Sequence, residues 1–296
     1  MPDEACATSP DRGRDGQSIL PDGLVLVSTP IGNLGDLTLR ARDTLLAADL
    51  ILCEDTRHTA RLLSAIGAKV KLQPLHEHNE NAAIPAVLAR LREGRRIALV
   101  SDAGVPLISD PGYRLVRAAL AEGLPVGAVP GANAAVTALV LSGLPPLPFL
   151  VLGFPPPRQT ARRAAFGRLR GAERAGLAAT LVWYEAPHRL GETLQDMAEA
   201  FGPRPAAVAR ELTKRFEEVR RGTLAELAAH YARNVARGEV TVVVAPPEQE
   251  DDPEDLDERL RAALAGNSVK DAAALVAVAT GLPRKLVYGR ALALSR

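Results

Sequence analysis

The chain has few cysteines, few aromatic residues and no long hydrophobic run. Its 2 cysteines, Cys6 and Cys53, are too few for a disulfide framework or a cysteine-ligated zinc site. No apolar run reaches the roughly 18 to 20 residues that a membrane span requires, and residues 1–20 lack the apolar segment of a signal peptide. Together these features predict a soluble protein of the cytoplasm, where thiols stay reduced.

The two common nucleotide-binding fingerprints are also missing. Neither G-x-G-x-x-G nor G-x-x-x-x-G-K-[ST] occurs, so a dinucleotide or P-loop fold has no support. His76 and His78 have the spacing of metal ligands on a strand, but the sequence offers no evident third ligand. We therefore predict no metal site.

Positive and negative charges are segregated along the chain, although the net charge is only +1. Residues 158–174 contain six arginines and one acid, residues 204–221 contain six bases and three acids, and residues 248–258 contain eight acids and no base. A basic middle beside an acidic linker favours a polyanionic partner. A solvated, arginine-rich helix without a partner is the alternative, and charge alone does not separate the two.

Strands and helices alternate through most of the chain. Residues 24–61 predict an apolar strand, a glycine-bearing loop, an amphipathic helix and a second apolar strand, which is one βαβ unit. Continued alternation predicts a parallel-rich α/β fold. The predicted segments are a disordered leader (1–21), an N-terminal α/β domain (22–144), a proline-rich linker (145–148), a C-terminal α/β domain (149–246), an acidic linker (247–253) and a helical module (254–296).

Three loops rich in small residues follow predicted strands, at 29–36, 101–112 and 130–135. Ligands of open α/β sheets bind at the carboxyl ends of strands, and small residues let the backbone approach a ligand closely. Gly32 and Gly35 alone are also compatible with plain turns. Three such loops at neighbouring strand ends predict a small-molecule site.

The strings STPIGNLGDLTLRA, CEDTRHTARLL, LHEHNE, LVSDAGVPLISDPGYRLVRAA, PGANAAVTALVLSGLP, GFPPP, YEAPHRL and ARELTKRFEEVRRGTLAEL occur in this order. With them, the chain from about residue 22 resembles the small-subunit ribosomal RNA methyltransferase I family of the tetrapyrrole-methylase superfamily. The resemblance implies two α/β domains with an S-adenosylmethionine cleft between them, and a homodimer. It also implies 2′-O-methylation of a cytidine in the decoding region of 16S rRNA, with the 30S subunit as partner. The family usually has Thr where this chain has Val105, so a hydroxyl contact to the donor at that position is lost.

Methyl transfer needs a donor pocket and a group that accepts the proton of the ribose hydroxyl. We expect the donor to contact the small-residue loops and strand ends, at Pro30, Asp102, Ala103, Gly104, Val105, Gly131, Ala134, Ala135, Tyr184, Glu211 and Leu212. The catalytic candidates are Glu54, Asp55, Asp36 and Lys214, with the pair Glu54–Asp55 first because adjacent acids raise one another's pKa. A structural ion pair or helix cap formed by Asp55 and Arg57 is an equally good interpretation.

For the RNA, the candidate phosphate contacts are Arg57, Arg158, Arg162, Arg163, Arg189, Arg210 and Arg215. Aromatic residues are 3% of the chain, so extensive base stacking is not expected, and Tyr113, Trp183 and Tyr184 are the few candidates for it. The last 43 residues, 254–296, are either an RNA-docking module or a helical cap. Two rival functions are methylation of a tetrapyrrole and RNA binding without catalysis.

Overall fold

The computed structural model describes residues 22–247, 253–280 and 282–295. The predicted leader (1–21) and most of the predicted acidic linker (248–252) lie outside the described residues. The chain forms two compact units. One extends to Ala138 and also includes Arg210–Glu218, and the other contains Leu139–Ala209 and the chain from Val219 onward. The division thus falls at residue 138 rather than at the predicted linker 145–148.

The first unit is built on a five-stranded parallel sheet, as the sequence predicts. Its strands have the order β3-β2-β4-β1-β5, and all four pairings between neighbours are parallel. The strands are β1 (Leu24–Val27), β2 (Leu50–Cys53), β3 (Leu72–Pro74), β4 (Ile97–Val100) and β5 (Val126–Val129), and the helices are α1 (Leu39–Ala47), α2 (Thr56–Ala65), α3 (Glu80–Arg92), α4 (Tyr113–Ala121) and α5 (Ala134–Ser142).

Both faces of this sheet are buried, which explains why its central strands are apolar at every position. Successive side chains of a strand point to opposite faces. Leu24 accordingly joins Leu99 in one hydrophobic cluster, and Val25 joins Ile51 in the other. The strand ends are therefore the places where polar residues of this sheet reach solvent.

A buried carboxylate fixes the start of α4. Gly112 precedes this helix and has no side chain with which to cap it. Glu80, which is 4% exposed, accepts a hydrogen bond of 3.1 Å from the backbone N–H of Leu115. Because an acidic group stabilises a helix N-terminus, Glu80 holds α4 and the loop that leads into it.

The second unit contains a mixed five-stranded sheet with the order β6-β7-β10-β8-β9. The strands are β6 (Phe149–Val151), β7 (Thr180–Glu185), β8 (Pro205–Arg210), β9 (Glu218–Thr223) and β10 (Val240–Val244), and the helices are α6 (Gln159–Arg174), α7 (Leu190–Phe201) and α8 (Leu224–Arg233). Strand β6 is parallel to β7, and β10 is antiparallel to it. Phe166, Trp183 and Phe201 form an aromatic cluster in its core. Strand β9 is not predicted by the sequence. Thr223 and Glu226 form a capping box at the start of α8.

Three helices complete the chain: α9 (Pro253–Leu264), α10 (Val269–Thr280) and α11 (Arg284–Leu294). They pack around Leu260, Val276 and Val287. Arg290 donates two hydrogen bonds, of 2.6 and 2.5 Å, to the carboxylate of Asp257 and so joins α11 to α9. None of the helices within the described ranges is long and apolar enough to cross a membrane.

Candidate active site

The three predicted loops open at one edge of the first unit's sheet. Strand β1 lies between β4 and β5, and all three are parallel, so the loops at 28–38, 101–112 and 130–133 leave the same edge. This edge is the usual ligand-binding edge of an open α/β sheet. We call these the β1, β4 and β5 loops.

The β1 and β4 loops are joined by backbone hydrogen bonds. The N–H of Thr29 donates to the carbonyl of Gly104 at 2.9 Å, and the N–H of Gly104 donates to Thr29 at 3.2 Å. The Thr29 hydroxyl donates to the buried carbonyl of Ser101, and the Ser101 hydroxyl donates to Gly104. The two loops therefore form one fixed element rather than two independent turns.

Close packing between the loops explains two of their glycines. Gly104 has φ +82°, and a Cβ there would stand 3.2 Å from the side chain of Ile31. A Cβ on Gly131 would stand 2.8 Å from the Cβ of Ser28, which joins the β5 loop to the β1 loop. These glycines therefore have a structural task in addition to the predicted donor contact, which stays a prediction.

A fourth loop, Arg210–Glu218, belongs to this unit although it connects β8 to β9. We call it the β8–β9 loop. A Cβ on Gly32 would stand 2.4 Å from Cγ of Lys214 and 3.1 Å from the carbonyl oxygen of Leu212. Glu211 and Thr213 have φ of +51° and +65°, and Lys214 pairs with Glu211 at 2.8 Å. The predicted residues Glu211, Leu212 and Lys214 thus lie beside the β1 loop.

Asp110 is the one acid of this edge with a strongly raised pKa. Burial, and after it the negative charges of Glu54 and Asp102, raise the pKa of Asp110 to about 6. The Asp102 side chain also accepts a hydrogen bond of 3.2 Å from the backbone N–H of Asp55. A carboxyl group with a pKa near neutrality is typical of catalytic acids and bases. The sequence prediction selected Asp102 from this loop and missed Asp110, although both acids stand in the same short segment.

Asp55 forms both the helix cap and the ion pair with Arg57 that the second interpretation of this residue predicts. Its side chain accepts from the backbone N–H of Arg57 at 2.8 Å, which caps α2, and it pairs with the Arg57 guanidinium at 2.9 Å. The Arg57 side chain holds the pKa of Asp55 down at about 2. The predicted increase in the pKa of Asp55 is therefore wrong, because the hydrogen bonds with Arg57 outweigh the effect of desolvation.

The remaining candidates divide between the two units. Pro30, Ala103, Val105, Ala134 and Ala135 lie in the β1 and β4 loops or at the start of α5 in the first unit. Asp36 is exposed and ends a 3₁₀ turn, Leu34–Asp36. Tyr184 lies on β7 in the second unit, where its ring centroid is 5.7 Å from that of Phe154.

His76 and His78 lie in the turn between β3 and α3 rather than on a strand, so the predicted geometry for this pair is wrong. Their ring centroids are 6.1 Å apart. Within the described ranges, no three His, Cys, Asp or Glu side chains are grouped as metal ligands would be.

Several of the predicted RNA-binding arginines have partners inside the fold. Arg162 is 1% exposed and its Nε donates to Asp196 at 2.7 Å, so it cannot reach a phosphate, which corrects that expectation. Arg163 shares the same carboxylate at 2.7 Å. Arg189 pairs with Glu185, and Arg210 pairs with Glu218. By contrast, the side chain of Arg57 is 87% exposed, and Arg158 and Arg215 are exposed as well.

Family comparisons agree with this geometry. Residues 23–228 match the family described as Tetrapyrrole (Corrin/Porphyrin) Methylases, and residues 250–295 match the RsmI C-terminal HTH domain, a helix-turn-helix. The chain is 45% identical over 278 residues to the "Ribosomal RNA small subunit methyltransferase I" of Mesorhizobium japonicum, covering 93% of both chains. It is 42% identical to the protein of that name from Escherichia coli O157:H7, covering 91% of this chain and 94% of that one.

Solved structures have the same fold. The uroporphyrin-III-C-methyltransferase of Thermus thermophilus superposes with a TM-score of 0.52 at 28% identity, over 74% of this chain and 93% of that one. Diphthine synthase superposes with a TM-score of 0.57 over 75% of this chain and 90% of that one, and at 14% identity it shows the fold alone. The resemblance and the fold class predicted from the sequence are confirmed.

Proposed function

This chain belongs to the tetrapyrrole (corrin/porphyrin) methylase family, and on that premise we propose that it transfers the methyl group of S-adenosylmethionine to small-subunit ribosomal RNA. The proposal depends on the similarity to two relatives named as ribosomal RNA small subunit methyltransferases. They are 45% and 42% identical to this chain, and each comparison covers at least 91% of both chains. The finer proposal is that the acceptor is the 2′-hydroxyl of a cytidine in the decoding region of 16S rRNA.

The loops of the first unit suit the methyl donor. Ala103 and Gly131 are exposed, and among the residues that the structure describes neither backbone N–H donates a hydrogen bond. Such groups are available for the donor's carboxylate, and the small side chains leave the backbone accessible. When bound, S-adenosylmethionine supplies a methyl group on a good leaving group. The contribution of the chain is then mainly to position the two reactants.

A proton must also leave the ribose hydroxyl during attack. We assign this task to the pair Glu54 and Asp110, because the negative charge of Glu54 helps to raise the pKa of Asp110, and that pKa, at about 6, is well matched to neutral pH. Asp55 is a weaker base because its pKa is held at about 2. Asp36 and Lys214 stay as further candidates, and Lys214 is already paired with Glu211.

RNA contacts are proposed where exposed cations lie. From the α/β units we propose Arg57, Arg158 and Arg215, and from the helical module Arg284 and Lys285 at the start of α11, all of which are exposed. The second helix of a helix-turn-helix typically contacts nucleic acid with its N-terminal residues. The match of residues 250–295 to such a domain therefore supports the RNA-docking interpretation of this segment over the helical cap.

The rival function is methylation of a tetrapyrrole, which the Thermus thermophilus relative favours by its name and its 28% identity. The test is transfer of tritium from labelled donor to 30S particles, to naked 16S rRNA and to a tetrapyrrole. We expect incorporation into RNA and none into the tetrapyrrole. Incorporation only into the tetrapyrrole would overturn the proposal, and RNA binding without incorporation anywhere would favour a non-catalytic assembly factor.

The resemblance also leads us to propose a homodimer that works in the cytoplasm. Light scattering of the purified chain on a sizing column measures its mass directly. A mass of twice 31.3 kDa is expected, and a monomeric mass at micromolar concentration would contradict the proposal.

A further inference from the structure

The β8–β9 loop carries an exposed aromatic side chain at the candidate site. Phe216 is 66% exposed, and the guanidinium of Arg215 lies 5.6 Å from the centre of its ring. Only 3% of the chain is aromatic, and most of the Trp and Phe side chains of the second unit are buried in its core. Phe154 is also exposed, at 53%, but Phe216 is the more exposed of the two and has a guanidinium beside its ring.

The loop is held in shape without help from the Phe216 ring. The N–H of Thr213 donates to Glu217 at 2.6 Å, the N–H of Lys214 donates to Glu211 at 3.0 Å, and the N–H of Glu217 donates back to Lys214 at 3.1 Å. At its base, Arg210 pairs with Glu218 at 3.0 Å. Backbone and side-chain hydrogen bonds therefore fix the loop, and its folding does not account for Phe216.

The position of the loop links Phe216 to the chemistry. Leu212 is 6% exposed, and the side chain of Lys214 lies against Gly32 of the β1 loop. Phe216 is thus displayed two residues from a side chain that touches a predicted donor-binding loop. A group that stacks on this ring would therefore lie on the loop that contacts the predicted donor site.

We propose that Phe216 is a stacking platform for an unpaired nucleobase of the RNA substrate, with Arg215 contacting that base or a flanking phosphate. The inference deepens the proposed function and rests on it. Single-stranded RNA is typically bound by aromatic rings and arginine planes that stack on its bases, and every base offers a face to such a ring. The cation beside the ring favours a polyanion over an apolar protein partner.

The first test measures steady-state methyl transfer to 30S particles by wild type, Phe216→Ala and Phe216→Tyr, with donor affinity measured by calorimetry. Phe216→Ala is expected to raise KM for the particle about tenfold, a typical loss for one stacked base, with donor affinity unchanged. Phe216→Tyr keeps an aromatic face and should stay close to wild type. Wild-type KM in Phe216→Ala would overturn the inference.

A matched control removes an equally exposed apolar side chain elsewhere. Leu120 is 59% exposed and lies in the last turn of α4. Because a helix runs antiparallel to the parallel strand that it follows, this last turn lies at the edge of the sheet opposite to the candidate site. Leu120→Ala is expected to leave KM unchanged. A rise in KM equal to that of Phe216→Ala would mean that loss of exposed apolar surface, not stacking, is being measured, and would overturn the inference.

Direct binding separates this inference from the proposed function. Phe216→Trp places an exposed fluorophore on the loop. The native Trp183 is 2% exposed, and its emission, measured in the wild-type protein, is subtracted as background. Binding of a single-stranded oligonucleotide from 16S rRNA is expected to quench the new emission. Absence of methyl transfer by wild type would remove the proposed function, whereas unquenched emission in a complex that still forms would overturn only the stacking role.

Discussion

Gly32 and Lys214 lie against one another, although more than half of the chain separates them in sequence. A methyl group on Gly32 would stand 2.4 Å from Cγ of Lys214 and 2.7 Å from its Cε. Contacts this short cannot persist, so a side chain at residue 32 must displace the Lys214 side chain, and it would also stand 3.1 Å from the backbone carbonyl oxygen of Leu212. Gly32 therefore allows the β8–β9 loop to pack closely on the β1 loop.

Gly32→Ala is expected to destabilise the protein by about 1–2 kcal/mol through this overlap and to weaken donor binding. The same substitution in a Lys214→Ala background should cost less, because the overlapping atoms are gone. Thermal unfolding of the four proteins of this double-mutant cycle measures the coupling. Additive effects of the two substitutions would show that the contact does not govern the loop.

Replacing Asp110 is expected to stabilise the protein and to slow methyl transfer. Its pKa is about 6 in the folded protein against 3.8 for an ordinary aspartate, so between these values the folded state holds the proton more tightly. The favourable contribution is present below pH 3.8 and lost as the pH rises through 6, when Asp110 ionises beside other acids. Asp110→Asn should therefore raise the free energy of unfolding at pH 7.5 by about 1–3 kcal/mol.

The same variant tests the catalytic role of Asp110. In wild type, kcat should rise with pH through an apparent pKa near 6, and Asp110→Asn should lower kcat and remove that inflection. Asp36→Asn, at an exposed acid, is the control for stability and should give no gain. A wild-type pH profile in Asp110→Asn would exclude Asp110 as the proton acceptor.

Asp55→Asn separates the two interpretations of Asp55. Asparagine keeps an oxygen that caps α2, so the fold should be retained, while the carboxylate is lost. If Asp55 is a cap and ion-pair partner, kcat stays within about twofold of wild type. A fall in kcat of about 100-fold or more, with melting temperature preserved, would instead identify Asp55 as the proton acceptor.

Two arginines at the start of α6 should give opposite phenotypes. Arg162→Ala removes a buried partner of Asp196 and is expected to destabilise the second unit by about 3 kcal/mol. Arg158→Ala removes an exposed cation and should leave stability unchanged while weakening RNA binding. The slope of log affinity against log salt should fall by about 1.

Urea unfolding and a salt titration of RNA binding measure these two effects. A stable Arg162→Ala with reduced RNA affinity would reverse the assignment and restore Arg162 to the RNA-contacting set. An Arg158→Ala with an unchanged salt slope would remove Arg158 from that set.

Local patterns in the sequence predicted the sheet of the first unit well. The apolar runs of β1, β2 and β4 coincide with those strands, because buried parallel strands are apolar throughout. The edge strand β9, by contrast, has the sequence EVRRGT and is only partly buried. It has no apolar pattern, so periodicity cannot reveal it.

Side-chain partners over long separations were beyond prediction. In the sequence, Arg162 is one of six arginines in a predicted basic helix. The neighbouring residues give no sign that Asp196, 34 positions later, pairs with it in the core. Asp110 owes its raised pKa to burial and to Glu54, which only the fold brings near. The pairing of Asp55 with Arg57 was foreseen as one of two alternatives because both residues are local.

The discontinuity of the first unit has a consequence for synthesis of the protein. Its sheet is complete in the nascent chain once β5 has been made, but the segment that rests on Gly32 is translated only after the greater part of the second unit's sheet. A prematurely terminated product that stops before residue 205 would retain all five strands of the first unit's sheet yet lack the β8–β9 loop. Polypeptides released early are thus expected to be inert toward RNA rather than partly active.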